Sequence, residues 1–264
     1  MQHFSTTLTI LFITVLLYTA IVFGISRYLD KRDDFADTAW GSMFALLAVT
    51  SFGMYHSFSD LWSFSGLATI LVLIWSIRLT VSISKRFISS KQEDPRYSAM
   101  RAKWSGNVQL QSFVRIFMLQ GVLAFVIVLP VIFINANNLT ANPFVVACAA
   151  LWLIGFVIEA IGDAQLRTFV RQPSNKGKLM TTGLWKYSRH PNYFGELMQW
   201  WALGLLALNV PNGWIGLAGP LLLTLLITKI SGVPLAEARQ VDKPQWQAYK
   251  ARTSVLIPWF PGKK

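Results

Sequence analysis

The placement of lysine and arginine constrains this chain more than any single motif in it. Seven mostly apolar runs, each close to the ~20 residues that a helix needs to cross a bilayer core, recur along the sequence. They lie near Leu8–Ser26, Thr38–Tyr55, Ser65–Ser84, Phe113–Ile134, Pro143–Ile161, Tyr193–Leu208 and Trp214–Ile230. Every Lys and Arg outside those runs falls in one of four segments: Arg27–Asp37, Lys85–Ser112, Gly162–Asn192 and Ser231–Lys264. The loops around Ser57–Phe64, Asn135–Asn142 and Asn209–Gly213 contain none. Cations stay on the cytoplasmic side of a bilayer, so one arrangement accounts for all of them. It is an all-α integral membrane bundle of about seven transmembrane helices, with the N-terminus outside and the C-terminus cytoplasmic.

Composition agrees with lipid as the solvent. Only 14% of the 264 residues are charged and 53% are hydrophobic, where a soluble domain carries about 25% charged residues. The net charge of +12 would suggest nucleic acid in a soluble chain. Here the cations flank apolar runs, and no nucleic-acid partner is expected. The one cysteine, Cys148, sits in an apolar run, so neither a disulfide framework nor a cysteine-held zinc site can be built. His3, His56 and His190 make too poor a set for a metal centre. Met1–Thr7 contains no cation, which favours a retained first helix over a secretory leader. No linker or internal repeat is visible, so a single membrane domain over 1–264 is expected. Asn138-Leu-Thr140 matches a glycosylation sequon, a pattern common by chance.

Polar residues enter the apolar runs at three places. Asn192, Glu196 and Gln199 share one face of the sixth run, which Pro191 is suited to open as a first-turn residue. That face needs either helix–helix hydrogen bonds or a ligand pocket, and Arg189, His190 and Tyr193 crowd its entrance. Glu159, Asp163, Arg167 and Arg171 follow one another at helical steps from the fifth run. They form either an ion-pair ladder or a polar face that something else must satisfy. Arg78 interrupts the third run, with Arg86 two turns on; snorkelling explains Arg86 better than Arg78. These arginines could surround a phosphate-bearing ligand. The Lys85–Ser112 segment, with Glu93-Asp-Pro-Arg-Tyr97, Arg101 and Lys103, reads as an interfacial helix extending its cations to anionic lipid.

The stretch Gly183-Leu-Trp-Lys-Tyr-Ser-Arg-His-Pro-Asn-Tyr-Phe-Gly-Glu196 resembles one membrane family, domain of unknown function 1295. So do Ser231-Gly-Val-Pro-Leu235, Tyr249-Lys-Ala-Arg-Thr-Ser254 and Ile257-Pro-Trp-Phe260, as well as Glu93–Tyr97 and the Trp75/Arg78 pair. The resemblance covers residues 37–264. That family groups with the steroid 5-alpha-reductases, the sterol C14 reductases and, more distantly, the isoprenylcysteine carboxyl methyltransferases. The reductase branch implies NADPH in a helical bundle open to the cytoplasm, with a hydrophobic substrate entering from the bilayer. By resemblance, Asn192 and Glu196 approach the nicotinamide. Asp163, Arg167 and Arg171 lie along the cofactor, and Arg78, Arg86 and Arg189 address its phosphates. Glu159, His190 and Tyr193 complete the expected cofactor set.

The chain departs from steroid reductases where they place a tyrosine one turn before the residue matching Arg78, paired with a glutamate on the second helix. Trp75 stands near that tyrosine, and the second run has no acid beyond Asp37 at its start. Asp37, Tyr97 and Tyr193 are the remaining candidates for proton donation. The leading expectation is an NADPH-dependent reductase of a carbon–carbon double bond in a lipid, steroid or isoprenoid-like molecule. Its expected place is a bacterial inner membrane, among membrane lipids, with the cofactor site facing the cytoplasm. An S-adenosylmethionine-dependent methyltransferase of the isoprenylcysteine type is the alternative, weakened because Glu237 is followed by Ala238 where that branch has a second acid. A non-catalytic lipid-binding or transport protein is the third.

Overall fold

The computed structural model describes residues 2–29, 31–137 and 139–262; Asn138 of the sequon lies outside them. Among the described residues there is no β-strand, only a single parallel bridge between Ser188 and Ser254. Every predicted apolar run is helical. Five stretches are long and apolar enough by themselves to cross a membrane: His3–Leu29, Phe64–Ser89, Val108–Ile127, Pro143–Arg171 and Gly213–Ala238. The protein is therefore an all-α membrane protein. We label its helices α1 (Gln2–Leu29), α2 (Phe35–Tyr55), α3 (Phe64–Ser89), α4 (Pro95–Arg101), α5 (Val108–Ile127) and α6 (Leu129–Asn135). They continue as α7 (Pro143–Arg171), α8 (Pro191–Ala207), α9 (Ala218–Leu225), α10 (Val233–Ala238) and α11 (Trp246–Arg252).

Two of the seven runs are less apolar or shorter, for physical reasons. Helix α2 packs on α1, α3, α5 and α6, and a helix covered by protein can carry glycine, serine and threonine where lipid would want leucine. Helix α8 has 17 residues and none of them is exposed. The fourth run, expected as one span over Phe113–Ile134, is instead divided. Pro130 lacks an N–H and breaks the helical ladder, so α5 stops at Ile127 and α6 starts at Leu129.

The internal contacts gather in two compact units: Met1–Ala141 with Ala207–Ala218, and Asn142–Leu206 with Gly219–Lys264. Two of the crossings lie at or beside the end of a helix, which is why no linker composition marks them.

The first unit is tied by a buried amide. Asn135 is fully buried; its Nδ2 donates to Ser51 Oγ at 2.8 Å and to the Ala48 carbonyl at 3.3 Å. Its Oδ1 accepts from Thr69 Oγ1 at 3.2 Å. One side chain thus joins α2, α3 and α6, and leaving such a group unpaired in an apolar interior would cost several kcal/mol, on the order of 2–7. At the other end Asp33, fully buried, accepts from Arg27 and Ser112 and pairs with Arg101, which also pairs with Glu93. The expectation that this loop sends its cations to lipid is corrected for Arg101 and Arg96, which turn onto Asp33, Glu93, Asp94 and Asp37. Acids from the α1–α2 connection, the first turn of α2 and the segment just before α4 hold these two guanidiniums within the protein.

In the second unit α7 and α8 touch through their backbones. A Cβ on Gly195 would lie 2.5 Å from the Glu159 nitrogen and the Gly155 carbonyl oxygen, and one on Gly155 2.7 Å from the Gly195 carbonyl oxygen. This seam of small residues lets amides on α8 reach acids on α7. Gln199 Nε2 donates to Glu159 Oε2 at 2.6 Å, and Asn192 Nδ2 donates to Asp163 Oδ1 at 3.1 Å.

Candidate functional site

A cavity of about 640 Å³ lies entirely within the second unit. Among the described residues, five cations line it, Arg171, Lys176, Lys178, Arg189 and Lys243, and no Asp or Glu does. Phe169, Trp185, Tyr193, Trp246 and Tyr249 supply aromatic surface. The cations arrive from four places: the end of α7, the Asn175–Lys178 turn, the loop leading into α8 and the connection before α11. In the turn, Gly177 has φ +78°, a left-handed conformation that glycine adopts without strain. Lys243 Nζ donates to the Lys178 carbonyl at 3.1 Å, so the two basic segments meet.

The wall opposite these lysines in sequence is the loop leading into α8. Gly183 has φ +62° and no room for a Cβ beside the Gln165 side chain. Gln165 Oε1 accepts from the Leu184 N–H at 3.0 Å, and Trp185 Nε1 donates to the Gly162 carbonyl at 3.1 Å. The loop is thereby pinned to α7. Tyr249 Oη donates to the Trp185 carbonyl at 2.6 Å, and burial pushes its phenol above the ordinary value.

Arg189 is 6% exposed and largely committed within the protein. Its Nε donates to Glu237 Oε1 at 2.8 Å, and its Nη1 donates to the carbonyls of Lys250 at 2.9 Å and Thr253 at 2.5 Å. It caps the end of α11, where unpaired carbonyls and the helix dipole favour a cation. His190 shares the same carboxylate oxygen through Nε2 at 3.3 Å and stacks on Tyr193, with ring centroids 5.4 Å apart. Burial pushes the His190 imidazole below its ordinary value against the opposing pull of Glu237.

Of the residues expected from sequence, Arg171, Arg189, His190, Asn192 and Tyr193 line the cavity. Asp163 and Glu159 stand behind them as acceptors for Asn192 and Gln199. Arg167 and Glu196 belong to the same unit and are not among the lining residues. Arg78, Arg86, Asp37 and Tyr97 belong to the first unit. There Tyr97 Oη donates to Asp37 Oδ1 at 2.5 Å, while Arg96 and Arg86 approach Oδ2 at 3.2 and 4.0 Å. Arg78 is half-buried on α3, three residues after buried Trp75. Burial, and then the adjacent Asp37 charge, push the Tyr97 phenol far above its ordinary value. Such a phenol gives up its proton reluctantly.

Sequence reasoning missed Lys176, Lys178, Lys243 and Trp246 on the cavity wall, and Glu237 as the shared partner of Arg189 and His190. A basic turn around Gly177 was a local signal for the first two. Nothing local linked them to Lys243.

The family model described as Protein of unknown function (DUF1295) matches residues 22–253. The 3-oxo-5-alpha-steroid 4-dehydrogenase 1 of Bos taurus is 34% identical over 82 residues, 31% of each chain. That of Rattus norvegicus is 28% identical over 127 residues, 48% of this chain and 46% of the relative. The Probable O-methyltransferase ustE of Ustilaginoidea virens is 38% identical over 53 residues, 20% of this chain and 19% of the relative. The chain therefore spans less than half the length of each of these relatives.

Proposed function

The chain belongs to the DUF1295 family, and from that premise we propose that it is a membrane reductase. It takes NADPH in the cavity of the second unit and reduces a carbon–carbon double bond of a lipid, steroid or isoprenoid-like molecule. The likeness to proteins named 3-oxo-5-alpha-steroid 4-dehydrogenase 1 supports a steroid-reductase-like chemistry.

The observation that carries the cofactor is the charge of the cavity. Glu237 pairs with Arg189, leaving Arg171, Lys176, Lys178 and Lys243 facing no acid on the wall. Four cations match a dinucleotide with a pyrophosphate and a further phosphate of about −2. They do not match S-adenosylmethionine, whose sulfonium and ammonium groups such a wall repels. A second observation fits the nicotinamide end. Asn192 lines the cavity with Nδ2 committed to Asp163, while its Oδ1 is buried with no donor among the described residues. A carboxamide N–H would satisfy it.

Bound NADPH would supply a hydride, the proton for the neighbouring carbon coming from a side chain or water. The protein's part is to hold and orient. Arg171 and the three lysines would neutralise phosphate charge, and Trp185, Trp246 and Tyr249 would offer ring faces and edges to the bases. Asn192, held by Asp163, would fix the carboxamide. Among the three expected proton donors, Tyr193 is the one on the cavity wall.

Thermal shift of the purified protein with NADPH, NADH and S-adenosylmethionine tests this reading. Saturable stabilisation by NADPH is expected. Stabilisation by S-adenosylmethionine alone would replace the reductase with a methyltransferase, and no response to any of the three would favour a binding or transport protein.

A further inference from the structure

The segment after α11 crosses the loop that opens α8, bending at Val255, Leu256 and Ile257, and it is pinned there by its backbone. The Arg189 N–H donates to the Ser254 carbonyl at 2.8 Å, Ser188 Oγ donates to the Leu256 carbonyl at 2.7 Å, and the Trp259 N–H donates to the Tyr187 carbonyl at 3.0 Å. The Gly262 N–H closes the strap on the Arg252 carbonyl at 3.0 Å. Exposure alternates from residue to residue along it, from Ser254 to Trp259. Here the outer face is the apolar one: Val255 is 43% exposed, Ile257 63%, Trp259 71% and the adjoining Phe260 78%. Leu256 and Pro258 between them are partly covered. A soluble protein patterns such a strap the other way round.

Three observations say what covers that face. Its anchor points, Tyr187, Ser188 and Arg189, precede the first residue of α8 by two to four positions, about one helical turn in length, so the strap sits at the level where the chain enters the apolar band. Its surroundings are basic: from Gln245 to Lys264 the sequence holds Lys250, Arg252, Lys263 and Lys264 and no acid. Lys186 lies beside Tyr187, its Nζ 5.7 Å from the ring centroid, and Tyr187 in turn meets Phe260 edge-on at 6.0 Å. Tryptophan with flanking cations is the chemistry of the boundary between acyl chains and anionic headgroups.

We propose that the Ser254–Gly262 strap is an interfacial membrane anchor. It seats Ile257, Trp259 and Phe260 among the headgroups of anionic phospholipid, with Lys186 and Arg252 on the lipid phosphates. The strap also carries the hydrogen bonds that hold Ser188 and Arg189, so its seating braces one wall of the basic cavity against the bilayer. The anchor stands on exposure, pinning and charge, and does not depend on which cofactor the cavity takes.

The test places an environment-sensitive fluorophore at Ile257→Cys in a Cys148→Ala background, with the full chain in nanodiscs. In discs of phosphatidylcholine with phosphatidylglycerol, the emission should shift to the blue. It should be quenched more by a nitroxide high on the acyl chain than by one at its end. The shift should shrink in pure phosphatidylcholine, and with Trp259→Lys in either disc. The same label at Phe260→Cys should report the same depth, and serves if the first variant does not fold. Water-like emission, unaffected by any nitroxide lipid, would overturn the proposal. So would a blue shift that lipid nitroxides do not quench, since that would mark a protein contact.

Discussion

Arg189 and Glu237 meet at 2.8 Å, and between them they join three stretches of chain. Arg189 leads into α8, Glu237 belongs to α10, and the carbonyls that Arg189 also binds close α11. Removing the acid leaves a nearly buried guanidinium with two carbonyls and no counter-charge. Breaking one partner of a buried pair costs about 3–5 kcal/mol, and Glu237 is partly exposed, so the low end applies. Glu237→Ala should therefore lower the thermal midpoint clearly in detergent, while Glu237→Gln, which keeps an acceptor oxygen, should lower it less. Equal midpoints for the two variants would show that shape rather than charge matters there.

Gly195 tests the seam between α7 and α8. A methyl group at that position must displace backbone, since the nearest atoms are main-chain nitrogen and oxygen at 2.5 Å. Overpacking of this kind typically costs about 1–3 kcal/mol. Gly195→Ala should reduce stability by that order and weaken the Glu159–Gln199 bond that the seam permits. A thermal midpoint unchanged from the parent protein would show that the helices separate freely.

Lys178 and Lys243 test the charge match of the cavity. Each charge-assisted phosphate contact contributes on the order of 1 kcal/mol, so losing both corresponds to roughly tenfold or more in affinity. The Lys178→Ala/Lys243→Ala protein should bind NADPH at least that much more weakly by titration calorimetry, with NADH less affected. A loss equal for the two nucleotides would assign the lysines to the pyrophosphate instead.

His190 gives a pH dependence with a definite sign. Burial lowers the folded imidazole below its ordinary value, so below about pH 6.5 the unfolded chain binds more protons than the folded one. The stability contributed by the neutral ring is present above that pH and is lost as the pH falls toward the folded value. The thermal midpoint should drop more between pH 7 and pH 5 for the parent protein than for His190→Gln. Parallel curves would mean that the ring does not titrate in that interval.

Tyr97 and Tyr193 separate a structural phenol from a reacting one. Tyr97→Phe removes a hydrogen bond to Asp37 and should cost about 1 kcal/mol or somewhat more of stability, leaving nucleotide affinity unchanged. Tyr193→Phe should leave stability nearly unchanged and reduce turnover of a reducible lipid substrate while NADPH still binds. The reverse pattern would make the Asp37–Tyr97 pair the proton source.

Legible in the amino-acid sequence were the apolar runs as helices, save for the break at Val128 in the fourth, the segregation of cations to four segments and the opening of α8 at Pro191. Each of these follows from interactions among residues close in the chain: the length of an apolar run, the bilayer's treatment of charge, and the fixed backbone angle of proline. The sharing of one face by Asn192, Glu196 and Gln199 was legible for the same reason. Helical spacing could not say that Asn192 serves Asp163 and Gln199 serves Glu159, because a polar face on one helix does not reveal the helix opposite. The packing of distant segments alone turns Arg101 inward to Asp33, sets the Tyr97 hydroxyl to donate a hydrogen bond to Asp37, and brings Lys243 to Lys178. Those pairs lie 60 or more residues apart. What brings them together is the packing of the helices that carry them, a balance of burial and backbone closeness that no local pattern encodes.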